Sequence, residues 1–255
     1  MTAVVDTVRP DTEEPSGPGG RMSLVDHLTE LRRRLVISAI AMAIGGVVAF
    51  FLYNHILNFL VHPYCSVNAK KSGCALFIQD PLEGFATRLK VAGYVGLFLA
   101  SPVVLFQMWR FITPGLHPKE KKYAVPFVLS SIVLFIFGAV IAMLTFPQAL
   151  HFLIAVGGPN LQTIFSPSKY LNLIVLMIVA FGVAFEFPVV LVFLEVAGVL
   201  STARLKQWRR PAIVIIFVIA AVITPSQDPY SLFAMAIPMC VFYEASILIG
   251  RLLKR

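Results

Sequence analysis

Long apolar runs alternate with short polar, mostly basic connections along almost the whole chain. Leu35 to Tyr53 is 19 residues without a charge; at ~1.5 Å per residue it spans about 28 Å, close to a ~30 Å hydrocarbon core. Val91 to Met108 is a second such run, and Tyr123 to Phe146 is a third, with Pro126 in its first turn where the missing N–H has no helical partner to lose. Tyr170 to Leu194 is a fourth, interrupted by Glu186-Phe187-Pro188. The last two are Ala212 to Ile223, only 12 residues, and Leu232 to Gly250; Thr224-Pro225-Ser226-Gln227-Asp228-Pro229 turns the chain between them. The pattern predicts an all-α integral membrane protein with six transmembrane helices, the last two short.

The polar stretches complete the outline. Residues 1–22 hold Pro10, Pro15, Pro18 and three glycines, and read as a disordered tail ahead of a six-helix membrane domain, 23–255. Being acidic and Pro/Gly-rich, that tail does not predict a cleavable signal. Ser23-Leu24-Val25-Asp26 resembles a helix start, and Leu24, Leu28, Leu31 and Leu35 recur at helical spacing. They predict a short N-terminal amphipathic helix at the membrane surface, feeding the first span. Asn54 to Thr87 reads as a polar segment and Pro147 to Ser168 as a loop whose apolar middle, Ala149 to Val156, fits against the membrane.

Charge sets the orientation. Six crossings place 16 of the 21 Lys and Arg residues on one side, which predicts that both termini are cytoplasmic and the protein sits in the cell (plasma) membrane. Were the 12-residue run not to cross, Arg251, Lys254 and Arg255 would face outward, against that bias. With 58% hydrophobic and 13% charged residues, the net charge of +8 suits an anionic leaflet, and no soluble basic face remains for nucleic acid.

Candidate chemistry is sparse. A carboxylate at mid-span is costly, so Glu186 faces either a water-filled cavity or a partner within the protein. Glu195 and Glu244 lie toward span ends, within reach of the interface. The five histidines show no ligand spacing, which predicts no metal and no cofactor. No nucleophile with a base lies in the spans, so the chain does not read as an enzyme. Cys65 and Cys74 share an exported loop where a disulfide is permitted, a pairing that only geometry decides; Cys240 reads as a packed thiol. Between the second and third runs, Trp109 to Lys122 carries Pro114, Gly115 and Pro118, four basic residues and a single acid, Glu120.

Several motifs occur together: His27-Leu28-Thr29-Glu30-Leu31-Arg32-Arg33-Arg34, Phe111-Ile112-Thr113-Pro114-Gly115-Leu116, Glu120-Lys121, Phe181 to Pro188, Thr224-Pro225 with Asp228-Pro229, and Ala236-Ile237-Pro238. In these the chain, from Ser23 to Arg251, resembles the TatC family, the multispanning receptor subunit of the twin-arginine protein translocase. One departure is Leu232, where the family often has Gln. The resemblance implies Sec-independent transport of folded proteins, with the Arg-Arg motif of their signal peptides bound at the cytoplasmic face. It implies a binding surface of Glu30, Arg32, Phe111, Pro114, Leu116 and Glu120, in which Glu30 and Glu120 meet the two guanidiniums and Phe111 packs beside them. Arg32 to Arg34 engage headgroups or a partner subunit on the same view. Glu186 would line a partly hydrated concave face, and the last two helices would dock single-span Tat subunits of TatA and TatB type in a homo- and hetero-oligomer driven by proton-motive force. The alternative is a proton-coupled small-solute transporter using Glu186 as its ion site; the lack of a convincing internal repeat counts against it.

Overall fold

Where the hydrophobic pattern separates a surface helix from a first span, the chain folds as one uninterrupted helix, α1 (Leu24–Phe51). The computed structural model describes residues 24–68, 76–112, 124–158 and 165–253; the tail expected at 1–22 lies outside them. After a one-residue break at Leu52 come α2 (Tyr53–Asn68), α3 (Glu83–Ile112) and α4 (Ala124–Val156). These are followed by α5 (Pro167–Ala184), α6 (Phe187–Val196), α7 (Thr202–Gln207), α8 (Arg209–Ile223) and α9 (Pro229–Leu253). Among the described residues no strand occurs.

Among the described residues, five segments are long and apolar enough to cross a membrane: α1, α3, α4, α5 with α6, and α9. At 15 residues, or about 22 Å, α8 falls short of that length. Two other elements differ from the pattern reading. The segment from Asn54 is not a polar loop but α2, whose Ile56, Leu57, Leu60, Val61 and Tyr64 form one face packed on the core despite Pro63. Likewise α4 does not stop at Phe146 but runs through Pro147 to Val156. One missing N–H does not end a helix where no water is present to replace the other backbone bonds.

The break before α6 follows from sequence. Pro188 has no N–H for the Ala184 carbonyl, and the chain tightens there, with Glu186 N–H donating to Val183 O at 3.1 Å. Local caps begin α5 and α9. Ser166 accepts from Lys169 N–H ahead of Pro167, and Asp228 Oδ1 accepts from Ser231 N–H at 2.8 Å ahead of Pro229.

The α5–α6 segment is the most enclosed of the five. Its Tyr170, Ile174, Met177 and Phe181 join Tyr64, Phe146, Met235 and Met239 in one buried cluster, and Tyr170 Oη donates to the Leu60 carbonyl at 2.8 Å. By contrast α1 packs mainly on α3, touching α2 only slightly, and leaves Leu35, Val36, Ile40, Ile44, Val47 and Phe51 exposed. That contact is backbone to backbone: a Cβ on Gly96 would lie 2.5 Å from Gly46 N, and one on Gly45 would lie 2.8 Å from Gly96 O. Small residues permit this approach, which tethers helices in lipid where hydrophobic attraction does not.

A candidate binding site where α1 begins and α3 ends

The antiparallel pairing of α1 and α3 brings the first turns of one beside the last turn of the other. Glu30 and Arg34 share a face of α1 at i and i+4, and their side chains form an ion pair. Arg34 is only 9% exposed. It turns in toward α3, where Nη1 donates to the Gln107 carbonyl at 3.2 Å and the guanidinium lies 5.9 Å from the Phe111 ring centre. His27 stacks on that same ring at 4.4 Å. Arg34 binds Glu30 through Oε1; Oε2 is buried and has no hydrogen-bond partner. The result is a half-used carboxylate, with one oxygen still lacking a donor, joined through Arg34 to an aromatic ring.

Of the residues expected here, Glu30 and Phe111 are brought together. Arg32 and Arg33 are exposed and stand apart from that contact. Pro114, Leu116 and Glu120 lie outside the described residues, as does Cys74. Cys65 is disulfide-bonded and Cys240 is a free thiol. His27 and Arg34 belong to the motif quoted from the sequence, but Arg34, expected with Arg32 and Arg33 at headgroups or a partner subunit, turns inward to Glu30 and the Gln107 carbonyl. Gln107 was not picked out; the i, i+4 spacing of Glu30 and Arg34 is the signal that could have found their pairing.

A second polar group lies inside the bundle. Trp109 Nε1 donates to the buried Ser131 Oγ at 2.7 Å, and the indole stacks on Phe127 with Phe193 at its edge. Both Glu186 carboxylate oxygens are buried without a hydrogen-bond partner. Glu186 is 9% exposed and begins α6. An apolar cavity of about 300 Å³ opens nearby between α4, α6 and α9, lined by Phe127, Leu134, Pro188, Val189, Val192 and Phe242 among others. Glu195, expected at an interface, is instead wholly buried against Gly250. Glu244 does reach an exposed partner, Arg209, at 2.6 Å. Among the described residues no group of three His, Cys, Asp or Glu side chains could hold a metal ion.

Known proteins place this arrangement. The model of the Sec-independent protein translocase protein family TatC matches residues 26–238. The TatC protein of Frankia casuarinae is 41% identical over all of this chain and 71% of its own length. That of Aquifex aeolicus is 40% identical over 92% of this chain and 97% of its own. A crystal structure of the twin-arginine translocase receptor TatC superimposes with a TM-score of 0.72 at 40% identity, covering 90% of this chain and all of that one. A second, in DDM, gives 0.73 at 39% identity, covering 88% and 99%. With relatives matched across so much of its length, the chain belongs to the TatC family of Sec-independent protein translocase proteins and is a multi-pass membrane protein rather than an enzyme.

Proposed function

We propose that this protein is the signal-peptide receptor of a twin-arginine translocase in the plasma membrane, with six crossings and both termini cytoplasmic. α8 makes the short fifth crossing, sheltered by its partner α9. The charge bias supports this orientation, since it puts the Glu30 end of α1 and the basic connection after α3 on the inner side. The observation that carries the reading is the unpaired, buried Oε2 of Glu30, whose ion-pair partner Arg34 lies over the Phe111 ring. A guanidinium fits such an acceptor because it is planar, always charged and offers donors in a fixed fork, which a lysine does not copy. Glu120 supplies the second acid for the second arginine, and Pro114 and Leu116 shape the connection that carries it. The many nearby lysines and arginines repel any cation, so recognition rests on the local geometry of the two acids rather than on net charge. The last two helices scaffold single-span subunits of TatA and TatB type, and Cys65 pairs with Cys74 on the outer side.

The test is site-specific crosslinking from Phe111 to a peptide bearing an Arg-Arg signal motif, in detergent. Crosslinks are expected with Arg-Arg and not with Lys-Lys, and Glu120→Ala abolishes them while membrane insertion is kept. Wild-type crosslinking by that variant would remove Glu120 from the site. A second reading, a proton-coupled small-solute transporter, draws on the donor-free Glu186 carboxyl. Solute flux by the protein reconstituted alone, lost in Glu186→Gln, is what it requires.

A further inference from the structure

We infer that Arg34 is a positioning residue for the recognition of a guanidinium by Glu30: it holds one carboxylate oxygen permanently and leaves the other, buried and without a partner, as the acceptor for the ligand. The inference rests on the receptor reading above.

Two roles are open to an arginine paired with a binding-site carboxylate. It can be a placeholder that mimics the ligand and leaves when the ligand arrives, or a fixed part of the wall. The contacts of Arg34 favour the second. Its guanidinium is held from two helices at once, by Glu30 Oε1 on α1 and by the Gln107 carbonyl on α3 at 3.2 Å. The side chain is 9% exposed, with the Phe111 ring 5.9 Å away. Leaving would break both contacts and leave the His27 stack on Phe111 to tie this end of α3 to α1. Arg34 therefore stays, and Glu30 meets an incoming arginine through Oε2 alone.

This arrangement answers how an acid surrounded by basic residues discriminates. A freely turning carboxylate in a positive field takes up any cation that approaches. One pinned at Oε1 offers a single oxygen, fixed in direction, to which a flat guanidinium can present its donors. The cost is repulsion between Arg34 and the ligand. The two roles therefore predict opposite signs when the charge of Arg34 is removed.

The experiment measures binding of Arg-Arg and Lys-Lys signal peptides to detergent-purified full-length protein: wild type, Arg34→Gln and Arg34→Lys. We expect Arg34→Gln to bind the Arg-Arg peptide about ten-fold or more weakly, the loss that follows from one charged hydrogen bond set wrongly. The Arg-Arg over Lys-Lys preference should shrink with it. Arg34→Lys should restore charge but only part of the preference, because an ammonium lacks the planar fork to reach Glu30 and the Gln107 carbonyl together. A lost α1–α3 tether alone would lower both affinities and leave their ratio unchanged. Equal or tighter Arg-Arg binding by Arg34→Gln, or an unchanged ratio in both variants, overturns the inference. If wild type itself shows no Arg-Arg preference, it is the receptor reading that fails. Should Arg34→Gln not fold, Arg34→Lys carries the same test through its ratio.

Discussion

Gly96 and Gly93 lie three residues apart on α3, and alanine at each should have opposite consequences. A Cβ at Gly96 would sit 2.5 Å from Gly46 N and 2.7 Å from Gly46 Cα. Contacts of this kind relax at about 3.5 Å, so α1 must move off α3 by roughly 1 Å. Both colliding groups are backbone, and no side chain can swing aside to absorb the move. Overpacking of this sort costs about 1–3 kcal/mol, against which alanine in a helix returns about 0.8–1. Gly93 has nothing within 4 Å of its Cβ position, so there only the gain of about 0.8–1 kcal/mol remains. Thermal unfolding of the two purified variants in one detergent should therefore separate them, Gly93→Ala at or above wild type and Gly96→Ala below it. Because α1 carries Glu30 and Arg34 while α3 carries Gln107 and Phe111, Gly96→Ala should also weaken binding of an Arg-Arg peptide. Equal midpoints for the two variants would mean that the α1–α3 contact is not the tight one described.

Two further outcomes test the packing elsewhere. Tyr170→Phe removes the hydroxyl that donates to the Leu60 carbonyl at 2.8 Å and should cost about 0.5–1.5 kcal/mol; an unchanged unfolding midpoint would show that α2 is not held to α5 by this bond. Gly250→Ala places a Cβ 2.4 Å from both carboxylate oxygens of Glu195. It should destabilise by about 1–3 kcal/mol, and the loss should be partly recovered in the Glu195→Ala/Gly250→Ala double variant; additive losses in that cycle would refute a direct contact.

Sequence alone predicted a helical membrane protein because the lipid phase leaves a hydrophobic run few alternatives. The break at Glu186 was legible too, since Pro188 removes a specific hydrogen bond. Harder features depended on the neighbours. α2 carries Asn, His and Pro63 among its apolar positions, and its helical face is decided by the core it meets rather than by its own content. Pro147 looks like a terminator, yet α4 continues because its surroundings penalise any free backbone group more than one missing bond. Arg32, Arg33 and Arg34 are equivalent as text; only the position of α3 turns the third inward and leaves the others exposed. Glu195 read as interfacial by its place at a span end, and it is the absence of a side chain at Gly250, on a different helix, that lets it be buried. Of the candidate site, Glu30 and Phe111 were found through motif, and what holds them was not.

α1 meets α3 at the glycine contact with Gly96, at the Arg34 bridge to Gln107 and at the His27 stack on Phe111, and at its other end the Phe50 carbonyl accepts from Arg88. Glu30 lies 15 residues from Gly45, about 22 Å along the helix, so a tilt of about five degrees there would carry the carboxylate about 2 Å. Arg34 is the stay that prevents this swing. The same lever makes the recognition end sensitive to whatever presses on the bare outer side of α1, whether thicker lipid or a neighbouring helix, at a distance of four turns.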